Sequence, residues 1–386
     1  MIVSGRLVLE DRVEPGRIVV DGDRIAEVES DPAHASGPIV APGFVDVHVH
    51  GWGGYDAMAD EAALQGMARA LLQHGVTSFL PTAVTAPLAG LAGFAERVRR
   101  WVPRAADDGA EPLGFNLEGP FLAFARRGAH DPEHLRVPAE VGTAVLEPLL
   151  DGLRVTTIAP ELPGALELIR WLVERGVAVS LGHSAADVTL SRAGYAAGAT
   201  TTTHLLNAMT GLEHRNPGLA VAALTSDDVF AELIADGQHV DPALWPLVAR
   251  AKPVDRLLLV SDAVSLAGMG DGRARLGSVD VEVAGDRCTV AGTATLAGSV
   301  IALDRAVANL AGAGVPLPAA VAAAGANPAA MLGLTDRGRI AAGLRADLVE
   351  LDDDLQVRRV LRAGRWHPGA GQKKRPARRA GLVIGS

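Results

Sequence analysis

Two histidines one residue apart, His48 and His50, close the apolar run FVDVHVH, which reads as a β-strand. Side chains alternate along a strand, so Val45, Val47 and Val49 share one face and Asp46, His48 and His50 the other. Three valines suit packing against helices, whereas polar groups facing a protein interior are expensive unless paired. Two imidazoles in such a place either hold a divalent cation or are plain hydrogen-bonded histidines. Other short β-type runs shift the balance toward metal. GFNLEG carries Glu118 at its end, AVSLGH ends in His183, TTTHLLNAM carries His204, and LLLVSDA carries Asp262. Imidazole and carboxylate are donors that zinc and iron both accept, and so many at one rim are hard to explain as packing.

Positioning these groups together requires a repeated strand–helix frame. FVDVHVH precedes a helical stretch over Asp60–His74 that stops at Gly75, and TSFLPT precedes one over Leu88–Trp101. GFNLEG and VTTIAPE follow, then a helix over Gly164–Arg175 with Gly176 as its stop, then AVSLGH, TTTHLLNAM, VFAELIADG and LLLVSDA. Strands separated by helical patterns at this spacing mean βαβ units and a parallel sheet. Eight of them predict an α/β fold of the (β/α)₈ barrel type, with an open doubly wound sheet as the alternative. Barrel active sites lie at the C-terminal ends of the strands, where the candidate ligands fall.

The flanks read as β-structure. Residues 1–41, with an Asp21-Gly22 turn, and residues 338–366 are predicted to form one small β-sandwich from both chain ends. The barrel then occupies 42–337, with a β-hairpin insertion near 271–293. The basic segment 367–386 is predicted to be a disordered tail.

Composition bounds the partners. A net charge of −9 argues against a general nucleic-acid binder, so an anionic ligand needs local donors. No apolar run is long enough to cross a bilayer, and the first residues lack the features of a secretory signal. Cys288 is the single cysteine, which suits a reducing cytoplasm. Many binuclear barrel hydrolases bridge their metals with a modified lysine at a strand end. Here the lysines are Lys252, Lys373 and Lys374, none at a predicted strand end, so bridging would fall to a carboxylate, Glu118 being the natural choice.

An ordered series of motifs carries a resemblance. PGFVDVHVHG, NLEGPFL followed by RRGAH, IAPE, LGHSAA, THLLNAMTGLEHRNPG, LIADGQHV, LVSDAVSLAG, TLAGS and GLRADLVELD occur between the first residues and about residue 363. Together they resemble the N-acetylglucosamine-6-phosphate deacetylases of the amidohydrolase superfamily. The resemblance implies a barrel with a small β-sandwich, a homodimer, and hydrolysis of an amino-sugar phosphate in amino-sugar catabolism and cell-wall recycling. It implies Glu118, His183 and His204 as metal ligands, and His48 and His50 as the mark of members with a second metal near Asp262. One or two divalent ions per chain follow, zinc first, with iron or another divalent ion also tolerated. Asp262 resembles the catalytic acid/base, and His130, beside Ala129, the group that polarises the acetyl carbonyl. Asn207, Ala208, Arg215 and the loop Asp236, Gly237, Gln238 and His239 resemble sugar-phosphate contacts. Leu296, Ala297 and Gly298 resemble a backbone wall beside the sugar.

Bland readings stand beside these: Arg215 as a surface arginine, His130 as a loop brace, Asp46 as a group orienting a ligand. The approach loop LAFARRGAH has arginines where relatives carry lysines, and HLLNAM a leucine where phenylalanine is common. Rival functions are deacetylation of N-acetylgalactosamine 6-phosphate or another N-acyl amine, and a dihydroorotase-like cyclic-amide hydrolase whose usual lysine is missing here. A non-catalytic scaffold is the third, and such scaffolds lose metal ligands.

Overall fold

A computed structural model describes residues 1–370. Eight parallel strands pair in chain order: Phe44–Val49, Val76–Val84, Phe115–Glu118, Leu153–Ile158, Ala178–Leu181, Thr201–Thr202, Phe230–Leu233 and Leu257–Leu259. Just beyond the eighth strand the ring closes on the first, with Asp262 N donating to His48 O at 2.9 Å and His50 N to Ala263 O at 2.8 Å. The result is the (β/α)₈ barrel, not the open sheet.

Local chemistry explains the elements. Asp60 caps the helix Glu61–Leu72 by accepting from Ala63 N at 2.8 Å, satisfying an amide the helix cannot. Gly75 then turns the chain with φ +83, and a Cβ there would lie 2.8 Å from the Phe44 ring, so the turn and the packing beneath it both require glycine. Leu88–Trp101 is helical as predicted, and Ala165–Val173 is helical between Gly164 and Gly176. Val45, Val47 and Val49 lie in one apolar core with Leu64, Met67, Leu71 and Phe79. Asp46, His48 and His50 are equally buried, although the burial is polar.

Both chain ends contribute to one further sheet. Its seven strands run in the order Arg365–Pro368, Val357–Arg362, Leu348–Leu351, Ile39–Pro42, Ile2–Val8, Val13–Asp21 and Arg24–Ser30. The ladder is one hydrogen-bonded path that folds around a core of Val3, Ile18, Ile25, Val40, Leu348 and Leu361, so the two chain ends build one β-domain as predicted. The predicted tail begins too early. His367 and Pro368 pair with Val360 and Arg359, and Trp366 lies under the Arg359 guanidinium at 3.9 Å. The basic run starts only at Lys373, and the rest of the predicted tail lies outside the described residues. The insertion is a three-stranded antiparallel sheet, Gly272–Leu276, Val279–Ala284 and Arg287–Val290, rather than a hairpin. Its third strand carries Cys288 into a small apolar cluster with Val264, Leu276 and Ala297. Among the described residues no helix is long and apolar enough to cross a membrane.

Candidate metal centre and active site

Glu118 ends the third strand with both oxygens inside the rim. Its Oε1 lies 3.0 Å from His183 Nε2 and 2.9 Å from His204 Nε2, and those two nitrogens are 3.0 Å apart. Its Oε2 lies 3.3 Å from His50 Nε2 and 3.2 Å from His130 Nε2. Asp262 Oδ1 is 3.1 Å from His50 Nε2 and 3.5 Å from His48 Nε2. Four imidazoles, His48, His50, His183 and His204, therefore meet at the Glu118 carboxylate, and Asp262 stands against two of them.

The strands stop short of several of them. The sixth ladder ends at Thr202 and the eighth at Leu259, so His204 and Asp262 sit in the turns that follow, as does His183 after the fifth. All three have positive φ, +46 at His183, +27 at His204 and +49 at Asp262. Such backbone is costly for residues with a Cβ and is typically retained where function needs a side chain aimed inward. The family-type motifs brace these turns. Glu161 accepts from Ser184 Oγ at 2.7 Å and Ala185 N at 2.5 Å, fixing the turn after His183. Ser299 N donates to Asp262 O at 2.7 Å, and a Cβ on Gly298 would stand 2.8 Å from that same oxygen.

The donor set fits a divalent cation. His50 Nδ1 faces Thr82 O at 3.1 Å, His183 Nδ1 faces Arg126 O at 2.8 Å and His48 Nδ1 faces a Glu232 carboxylate oxygen at 3.1 Å. A carbonyl can only accept, so the Nδ1 atoms of His50 and His183 carry the hydrogens and their Nε2 lone pairs point at the rim. His48 Nε2 and Asp262 Oδ1 are buried without any hydrogen-bond partner. Buried polar atoms are nearly always paired, and a cation would pair these.

Electrostatics agree. Burial opposes charge on His50, yet the Asp262 and Glu118 carboxylates beside it lift it to about 9. His48 is likewise raised against burial by Glu118 and Glu232. Burial would push Glu118 and Asp262 up, but neighbouring imidazoles hold Glu118 well below, and Asp262 below, the usual carboxylate range. Burial, with positive charge nearby, drives His183 down to about 4, leaving it a neutral donor at pH 7.

A cavity of about 330 Å³ opens over this cluster. Ala129, His130, Asn207, Ala208, His239, Leu296 and Gly298 line it together with His50, Glu118, His183, His204 and Asp262. His48 lies beneath, fully buried. His130 Nδ1 contacts Thr85 Oγ1 at 2.9 Å and the Thr85 amide at 3.3 Å, which turns Nε2 to the cavity. His239 is held by Asp236, whose Oδ2 takes Nδ1 at 2.7 Å while Oδ1 accepts the amides of Gln238 and His239. Burial works against the Asp236 charge, and the His239 contacts lower its pKa nonetheless.

Other predicted contacts fall elsewhere. Asp236, Gly237 and Gln238 form the loop that aims His239 and do not line the cavity; Ala297 points into the apolar cluster behind it. Arg215 is exposed on the loop between His204 and the helix Leu219–Leu224 and is outside the lining. Asp46 braces the backbone amides of His48 and Ser261 rather than a ligand ring. Sequence reading passed over Arg126, Val84, Leu276 and Thr295, all in the lining, as well as Thr85 and Glu232. A glutamate inside the strand run VFAELIADG was the available signal for Glu232. Lys252 is buried against Ala223 O and Ser226 O, with its ammonium pushed down to about 8 by burial, and it takes no part in the rim.

A family model described as the amidohydrolase family matches residues 39–367. The chain belongs to the amidohydrolase family. This amidohydrolase is 41% identical over 367 residues to N-acetylglucosamine-6-phosphate deacetylase of Bos taurus, covering 91% of this chain and 88% of that protein. It is 39% identical to N-acetylgalactosamine-6-phosphate deacetylase of Escherichia coli O157:H7, over 87% of this chain and 90% of the relative. A solved structure of N-acetyl-D-glucosamine-6-phosphate deacetylase from Mycobacterium smegmatis, a mutant in complex with N-acetyl-D-glucosamine-6-phosphate, superposes with a TM-score of 0.87. It is 39% identical, over 95% of this chain and 98% of that one.

Proposed function

We propose that the chain is a metal-dependent deacetylase that hydrolyses N-acetyl-D-glucosamine 6-phosphate to D-glucosamine 6-phosphate and acetate, in amino-sugar catabolism. The observation that carries this reading is the convergence of Glu118, His183, His204 and Asp262 beneath a cavity that His130 and His239 also line. Glu118, His183 and His204 would hold one divalent ion, and His48 and His50, with Glu118 between, a second. Zinc is the first choice and iron is compatible with the same donors. Such an ion, when bound, supplies the Lewis acidity that makes water a nucleophile near neutral pH.

The protein's own groups do the rest. Asp262 takes a proton from the attacking water and passes it to the leaving nitrogen as the C–N bond breaks. Its low pKa keeps it ready as a base. His130 donates from Nε2 to the acetyl oxygen as charge develops there, the usual role of a preorganised oxyanion donor. His239, with Nδ1 committed to Asp236, offers Nε2 to the sugar phosphate, and the exposed Arg126 adds positive charge at the same cavity. A phosphate held away from the reacting amide keeps that amide in register. The cavity is sized for one small ligand. A cytoplasmic location suits the single buried Cys288, and a homodimer, as the resemblance implies, is read by sedimentation.

The galactosamine epimer is the second reading, because a relative of similar identity carries that name. Metal analysis with acetate-release assays on both N-acetylhexosamine 6-phosphates decides. Metal-replete protein is expected to release acetate from the glucosamine substrate faster, and release from neither would sink the assignment.

A further inference from the structure

Glu232 lies within the seventh barrel strand, Phe230–Leu233, with no solvent exposure. An isolated carboxylate in a barrel interior is unfavourable, so its partners reveal why it is there. One oxygen, Oε2, lies 3.1 Å from His48 Nδ1 and also accepts the backbone N–H of His204 at 3.1 Å. The other, Oε1, has no partner. Glu232 O accepts from Leu205 N at 2.7 Å, so the same residue grips the chain on both sides of the His204 carbonyl. As a carboxylate Glu232 can only accept, which places the hydrogen of His48 on Nδ1 and its lone pair on Nε2. Nε2 is the atom directed at Glu118 and Asp262.

We propose that Glu232 is a positioning residue that ties the two metal positions together, one carboxylate oxygen setting the tautomer and angle of His48 and the backbone of His204. The proposal rests on reading the rim as a metal centre. His50 and His183 are oriented by main-chain carbonyls, which are neutral. His48 alone of the three has a carboxylate behind it, which makes its imidazole the more basic donor. Its neighbours bear on this: Asp46 contacts the His48 amide rather than its ring, so no other carboxylate can replace Glu232 on Nδ1.

The test uses the full chain stripped of metal and titrated with zinc or cobalt in a metal buffer. Ions per chain, chelator-competition affinities, the visible spectrum of the cobalt form and thermal unfolding are measured. Glu232→Gln keeps an acceptor for both contacts and loses the charge; Glu232→Leu loses both contacts. At the His48 position the expected loss of affinity is about 10–100-fold for Glu232→Leu and smaller for Glu232→Gln, with an altered cobalt spectrum in each. Should Glu232→Leu fail to fold, Glu232→Gln alone decides, because its contacts are conserved. A Gln variant that matches the wild type in stoichiometry, affinity and spectrum overturns the proposal. A loss of binding that only tracks a lower unfolding temperature overturns it as well. Wild-type protein that takes up no ion sinks the metal reading first, an outcome distinct from wild-type binding that is indifferent to Glu232.

Discussion

The two ends of the barrel both bury charge, and they handle it in opposite ways. At the floor, where the barrel meets the terminal sheet, Arg337 bonds Ser78 Oγ at 2.8 Å, Glu111 at 3.1 Å and Asp336 at 2.9 Å. Arg345 pairs with Glu111 and Asp347 at 2.9 Å each, and Asp347 accepts the Ala363 amide at 2.7 Å. Among the described residues, none of these six side chains has a buried atom without a partner. At the mouth, His48 Nε2, His204 Nδ1 and Asp262 Oδ1 are all unpartnered. Arginine and carboxylate satisfy one another through matched geometry, so these six groups are paired within the protein, with Arg362 Nε beside them the exception. Lone pairs cannot satisfy one another, so the mouth is complete only with something added.

The largest effect that separates the two ends is expected at Asp262. Asp262→Asn should lower turnover by about 10²–10⁴-fold, the range for a lost general acid/base, while metal content and unfolding temperature stay near wild type. Near-normal turnover would remove Asp262 from the chemistry. At the floor the pattern inverts. Arg337→Met should lower unfolding free energy by about 3 kcal/mol, the low end for breaking a buried pair because Glu111 keeps some solvent contact, and leave turnover of the folded protein unchanged. Urea unfolding and assay of the same sample check it, and a large turnover loss without destabilisation would erase the contrast.

The smallest expected effect concerns protons. His50 in metal-free protein holds its proton up to about 9 and must lose it to become a ligand. Metal affinity should therefore rise with pH by about tenfold per unit and proton released, flattening above about 9. Calorimetry at pH 7 in two buffers of different ionisation enthalpy reads the released proton. Equal apparent enthalpies would mean that the mouth does not store protons in place of metal.

Much of the mouth was legible because strand periodicity and strand ends are local properties. His48-x-His50 and the residues closing each β-type run declared a shared rim before any distance was known. The parts that stayed hidden depend on contacts between distant segments. Arg215 sat in a persuasive motif but is exposed and outside the cavity lining, on the loop that leads into Leu219–Leu224. Asp236 resembled a contact and instead orients His239. The start of the tail was misplaced because pairing with Val357–Arg362, a tertiary matter, carries the chain to Pro368.

By itself, then, the sequence determined the eight alternating strands, the donors at their ends and the family-like order of motifs, since each rests on residue type and short-range spacing, while closure of the strands into a ring waited on the structure. The tertiary structure decided which nitrogen each histidine presents, which polar atoms are left without partners, and that Glu232 stands behind His48. Those facts arise where eight strands separated by tens of residues converge, and no local pattern specifies an angle between them.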